Sequence, residues 1–117
     1  MTGGGMPEQG DGLDAVLAVI HRQAQGDDVR VTQHAHQEMV EESFSIDDVL
    51  HAIGNGRIIE HYPAHPRGGC CLLFGTTASG RPAHIVCTTT RPLLIVITVY
   101  EPAPPKWPTP TRRRQSE

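Results

Sequence analysis

The feature that most constrains this chain is a change of hydrophobic period at Gly54-Asn55-Gly56. Upstream, apolar residues recur with the spacing of helices. Leu13, Val16, Leu17 and Ile20 fall at i, i+3, i+4 and i+7 and predict one apolar face on a helix from about Asp11 to Gln25. Asp11 can cap its start and Gly26 can end it. Val29 to Val31 reads as a short extended link. Thr32 is then placed to cap a second helix carrying His34, Ala35, Met39 and Val40. The third helix is the best specified: Ser45 and Asp48 form a capping box, and Phe44 can staple onto Val49. Ile46, Val49, Leu50 and Ile53 are its expected buried stripe.

Downstream of Gly56 the pattern is one of short β-rich runs separated by turn residues. Four strands are expected, Arg57 to Tyr62, Cys70 to Thr76, His84 to Thr90 and Leu93 to Glu101. The tight Arg91-Pro92 connection makes the last two a hairpin. Leu93-Leu94-Ile95-Val96-Ile97 is apolar on both faces, as a strand in the middle of a sheet should be. Helices first and strands second predict an α+β domain, with the N-terminal helices on one face of a four-stranded antiparallel sheet. Its expected bounds are residues 11–107, between a disordered tail at 1–10 and a basic flexible tail at 108–117. Pro102 to Pro108 is too rich in proline for a helix or a central strand and should run extended over the surface.

With 117 residues there is room for one core and not for two. No apolar stretch reaches about eighteen residues and no basic leader opens the chain, so a cytoplasmic protein with no membrane contact is expected. Three cysteines, two of them adjacent, fit reduced thiols. Cys70 and Cys71 should point to opposite faces of a strand, and there is neither a Cys-x-x-Cys nor a histidine pair at helical spacing. Neither a metal nor another cofactor is expected. Charge is divided unevenly: residues 1–56 carry ten acids and two arginines, residues 57–117 eight bases and three acids. The second half can attract phosphate, or its basic tail can serve solubility alone.

Several short stretches, in order and at their spacing, resemble the domain-of-unknown-function family 4258. They are Thr32-x-His34-Ala35, Met39, Ser45-Ile46-Asp47-Asp48-Val49, Gly56-x-Ile58-Ile59-Glu60-x-Tyr62-Pro63, Gly80-Arg81-Pro82-x-His84-Ile85-Val86, and Ile97-Thr98-Val99-Tyr100-Glu101-Pro102 with Lys106-Trp107. The resemblance spans about Val31 to Trp107. It implies the fold of RelE-like and BrnT-like toxins, and with it a metal-independent messenger-RNA endonuclease held in check by a cognate antitoxin and acting on RNA or the ribosome. One departure weighs against this. Many members of the family have arginines where this chain has Glu38 and Glu42, a charge reversal on one helix.

Cleaving RNA without a metal requires a base, an acid and a cation for the developing phosphorane charge. His84, Tyr100, Arg81 and His34 are the catalytic candidates that the resemblance implies, and Arg67, Arg57 and Lys106 the RNA contacts. Each has an ordinary structural alternative. His84 can be a half-buried strand residue bonded to backbone, Tyr100 a ring buried at the core's edge, His34 a helix-start residue, and Arg67 and Arg81 solvated turn residues. The rival function is a non-catalytic interaction module that docks through Trp107 and the proline-rich segment Pro102 to Pro110.

Overall fold

A computed structural model describes residues 8–66, 68–90 and 92–113. Three helices precede most of a five-stranded sheet: α1 (Glu8–Gln25), β1 (Val29–Val31), α2 (Gln33–Glu42), α3 (Ile46–Gly54), β2 (Arg57–Tyr62), β3 (Cys70–Thr76), β4 (Pro82–Thr88) and β5 (Leu94–Tyr100). The sheet order is β1-β5-β4-β3-β2. β2 to β5 form the expected antiparallel meander, while β1 runs parallel to β5, with Val29 opposite Leu94 and Val31 opposite Val96. The fold is therefore α+β with a five-stranded mixed sheet, which corrects the four-stranded antiparallel expectation. The segment read as a link is a strand because β5 is central and needs a partner on its second edge. Three residues are too few to show an alternation of their own.

Capping chemistry sets the helix starts. Thr32 Oγ1 accepts the Ala35 N–H at 3.0 Å and donates to the Ile97 carbonyl at 3.3 Å, so one hydroxyl starts α2 and ties it to β5. Ser45 and Asp48 form both halves of the capping box on α3. Phe44 and Val49, the staple pair, are both in the core, whereas Ile46 of the expected stripe is 45% exposed.

β1 ends at Val31, which leaves the upper part of β5 without a strand on that side. Helix α2 supplies the missing acceptors. Val99 N–H donates to Glu38 Oε1 and Glu101 N–H to Glu42 Oε1, each at 2.9 Å. The Glu38 and Glu42 carboxylates thus complete the hydrogen bonding along the end of a central strand.

The main core lies between the helices and one face of the sheet. Ile20, Ala35, Met39, Val49, Ala52 and Ile53 pack there against Cys71, Leu73, Ala83, Ile85, Cys87, Leu94, Val96 and Val99. Cys71 and Cys87 face each other across β3 and β4 with their sulfurs 4.0 Å apart as free thiols, and Cys70 is buried under the opposite face. Helix α3 approaches β3 most closely at Gly75, where even a β-carbon would meet the Ala52 carbonyl oxygen at 1.9 Å. Asn55 fixes that approach: its side chain accepts from the Thr76 N–H and donates to the Thr76 carbonyl, pairing with the end of β3 as a strand would. None of the helices among the described residues is long and apolar enough to cross a membrane.

Candidate functional site

Strand alternation sends Glu60 and Tyr62 of β2, Leu72 and Phe74 of β3, His84 of β4 and Tyr100 of β5 to the sheet face away from the helices. Residues that follow β5 lie over that face. The chain passes Pro102 and turns at Pro104 to Lys106. It then buries Trp107, which is 2% exposed, and places Pro110 and Arg113 on the sheet. Thr109 and Arg112 close a small turn, with the Arg112 N–H donating to the Thr109 carbonyl at 3.2 Å. Residues 102–108, expected to run extended over the surface, instead turn at 104–106 and bury Pro102 and Trp107. Residues 108–113, expected in a flexible tail, are part of the same docked strap.

His84 is at the centre of this arrangement and is fully buried. Its Nε2 lies 2.6 Å from the Pro110 carbonyl oxygen and its Nδ1 3.0 Å from the Tyr100 hydroxyl. A carbonyl can only accept, so Nε2 carries the proton, and in the neutral ring Nδ1 accepts from Tyr100 O–H. Both nitrogens are therefore satisfied by a single neutral tautomer. The edges and faces of the ring are enclosed by Trp107 at 4.3 Å, Tyr100 at 5.1 Å and Phe74 at 6.2 Å between centroids. Burial holds the imidazole below its ordinary value of 6.5 and pushes the Tyr100 hydroxyl above its own.

A charged pair borders the histidine. Arg113 forks onto Glu60 with bonds of 2.7 and 2.9 Å, and its guanidinium lies 4.8 Å over the Trp107 ring. Tyr62 donates its hydroxyl to the same carboxylate. The bonds from Arg113 hold the Glu60 carboxyl below the usual range, and burial together with the bond to Glu60 pushes Tyr62 up to about 12.

Of the described residues chosen from sequence, the fold joins His84 directly to Tyr100 and places Arg57 on the same face, opposite Phe74. Arg81 turns to the helix side, where it stacks 3.9 Å over Phe44, pairs with Glu101 at 2.7 Å and donates to the Ser43 and Glu42 carbonyls at the end of α2. His34 is an exposed residue of α2 paired with Glu38 at 3.4 Å. Arg57 is exposed at the start of β2 with its guanidinium 5.9 Å from Phe74, and Lys106 is exposed in the strap. Arg67 falls outside the described residues. Glu60, Tyr62 and Arg113 were not singled out from sequence. The Glu60-x-Tyr62 spacing signalled a shared face, but nothing local could join Arg113 to a strand about fifty residues earlier. No group of three or more His, Cys, Asp or Glu side chains among the described residues is placed to hold a metal ion.

The geometry makes strap docking pH-dependent. A ring held below its ordinary value takes its proton more readily once the strap is off. Docking through His84 is thus at full strength above about pH 6.5 and declines as the pH falls toward the docked ring's lower value. Glu60 acts in the same direction at lower pH: its contribution is complete above about 4.5 and is lost as the pH falls through its depressed value. Trp107 is the only tryptophan, so its emission should shift to the red between pH 7 and pH 5, and His84→Gln should remove the step nearest pH 6.5. Emission that does not change over that range in the wild-type protein would contradict this account.

No curated protein and no solved structure matches the chain. A family model does, over residues 31–101, the stretch from the end of β1 to the residue after β5. That stretch contains Glu60, Tyr62, His84 and Tyr100 and stops just short of the strap that covers them. With more than half its length matched, the chain belongs to the DUF4258 family, a domain of unknown function.

Proposed function

We propose that this protein is a non-catalytic interaction module whose recognition surface is the sheet face opposite the helices, filled in this chain by its own residues 102–113. The observation that carries the reading is the state of His84: one ring nitrogen donates to Pro110, the other accepts from Tyr100, and an indole closes over the ring. A histidine with both nitrogens committed has no proton to exchange with a substrate. The nearest cation, Arg113, is neutralised by Glu60, and Arg81 is committed to the end of α2. The face offers a carboxylate, two tyrosines and a neutral imidazole, with Arg57 at its margin over Phe74; around Glu60 the set suits a cationic, aromatic peptide better than phosphate. The endoribonuclease of the toxin-like reading would need cations to converge there.

The test uses full-length Trp107→Ala, in which the strap has lost its anchor. This chain should bind a fluorescein-labelled peptide of residues 102–113 added in trans, and wild-type protein, whose face is already filled, should bind it far more weakly. Neither should cut a labelled single-stranded RNA. Peptide binding at background level in both proteins would refute the reading, as would RNA cleavage by Trp107→Ala that disappears when His84→Ala is added.

A further inference from the structure

The strap holds the face through three contacts of different chemistry. The Trp107 indole fills the space against His84, the Pro110 carbonyl accepts the His84 Nε2–H, and the Arg113 guanidinium forks onto Glu60. They are brought into register by the turn at Thr109 to Arg112, which has Pro110 at the position where proline's fixed φ favours a β-turn. The turn shortens the path from indole to guanidinium. Adjacent strands are about 4.8 Å apart, so the distance from His84 on β4 across β3 to Glu60 on β2 is only about 10 Å. Six fully extended residues would span about 20 Å and carry the arginine beyond the carboxylate.

Resting on the interaction-module reading above, we propose that the face is the docking site for a partner protein's segment with an indole six residues before an arginine and a proline turn between them, which displaces residues 102–113. Two observations favour a partner as the occupant. The receiving residues lie inside the family match, and the strap that fills the face lies beyond its end at residue 101. The carboxylate of Glu60, kept ionised and aimed at the strap, complements a guanidinium from any chain that carries one at that spacing.

The experiment measures anisotropy of labelled peptides on full-length Trp107→Ala. Relative to the peptide of residues 102–113, Trp107→Ala in the peptide should weaken binding by about a hundredfold or more. Arg113→Ala in the peptide, or one glycine inserted between Pro110 and Arg113, should weaken it by about tenfold. Lys106→Ala in the peptide should have no effect. Adding Glu60→Gln to the protein should abolish the penalty for Arg113→Ala. If circular dichroism shows that Trp107→Ala does not fold, full-length Arg113→Ala serves as receptor and the same ranking is expected. Equal affinities across the peptides, with the parent peptide bound, would overturn the proposed pattern and leave the interaction module standing; no binding of the parent peptide to either receptor would overturn both. Concentration-dependent dimers of wild-type protein in light scattering that are lost in Trp107→Ala would assign the face to a second copy of this chain and overturn the partner assignment.

Discussion

Gly75→Ala is expected to lower the stability of the domain severely, by about 3 kcal/mol or more, at the upper end of what overpacking costs in a closed core. The added β-carbon would lie 1.9 Å from the Ala52 carbonyl oxygen and 2.7 Å from its carbon, both backbone atoms of α3. Rotamer changes cannot relieve such a contact. The helix cannot withdraw either without losing the Asn55 pairing with Thr76 that ties its end to β3. For a domain of this size the loss corresponds to a fall of about 10 °C or more in Tm. Gly54→Ala is the matching control. A β-carbon there meets nothing within 4 Å, so that variant should melt at or above the wild-type temperature. Equal midpoints for Gly75→Ala and wild type in thermal and urea unfolding would show that α3 does not rest on β3 as described.

The second large effect belongs to Trp107→Ala. Removing a buried indole costs about 3–5 kcal/mol, but here the loss falls mainly on the strap, because the helix-side core contains none of its residues. Residues 102–113 should leave the sheet while the helices and strands persist. In wild type Arg112 lies in a turn closed against the sheet face, and Lys106 precedes the buried indole. Trypsin should therefore cleave after both far faster in the variant, with little change in the far-ultraviolet circular dichroism. Wild-type cleavage rates in the variant would show that Trp107 does not hold the strap.

How much of this was legible in the sequence depended on the range of the interaction. Thr32, the Ser45–Asp48 box and the Phe44–Val49 staple act over three to five residues, and all three are in place. The meander β2 to β5 was readable for the same reason, since alternation and turns are local. β1 was not, because three residues carry no period. The one available hint was indirect: a run apolar on both faces implies a strand with neighbours on both edges, and only one had been assigned. The roles of Glu38 and Glu42 were equally hidden. On the sequence they read as a reversal of charge that weakened RNA contacts; in the fold they answer two N–H groups of a strand about sixty residues away. The candidate site was half legible. His84 and Tyr100 meet because cross-strand pairing places them opposite each other. Arg81 sits just before the strand that carries His84 yet serves the other side of the sheet, and the strap's anchors are fixed by contacts that no spacing rule reaches.

Those two carboxylates also determine how copies of this domain can associate. A strand edge with free N–H and C=O groups is a template for any passing β-segment. Along the upper half of β5 that template is occupied by a helix, and at the opposite margin of the sheet β2 breaks its register between Ile58 and Glu60, an irregularity that twists an edge out of line. Neither margin presents a long, straight ladder for strand-by-strand growth into fibres, so contacts between molecules are directed to side-chain surfaces instead.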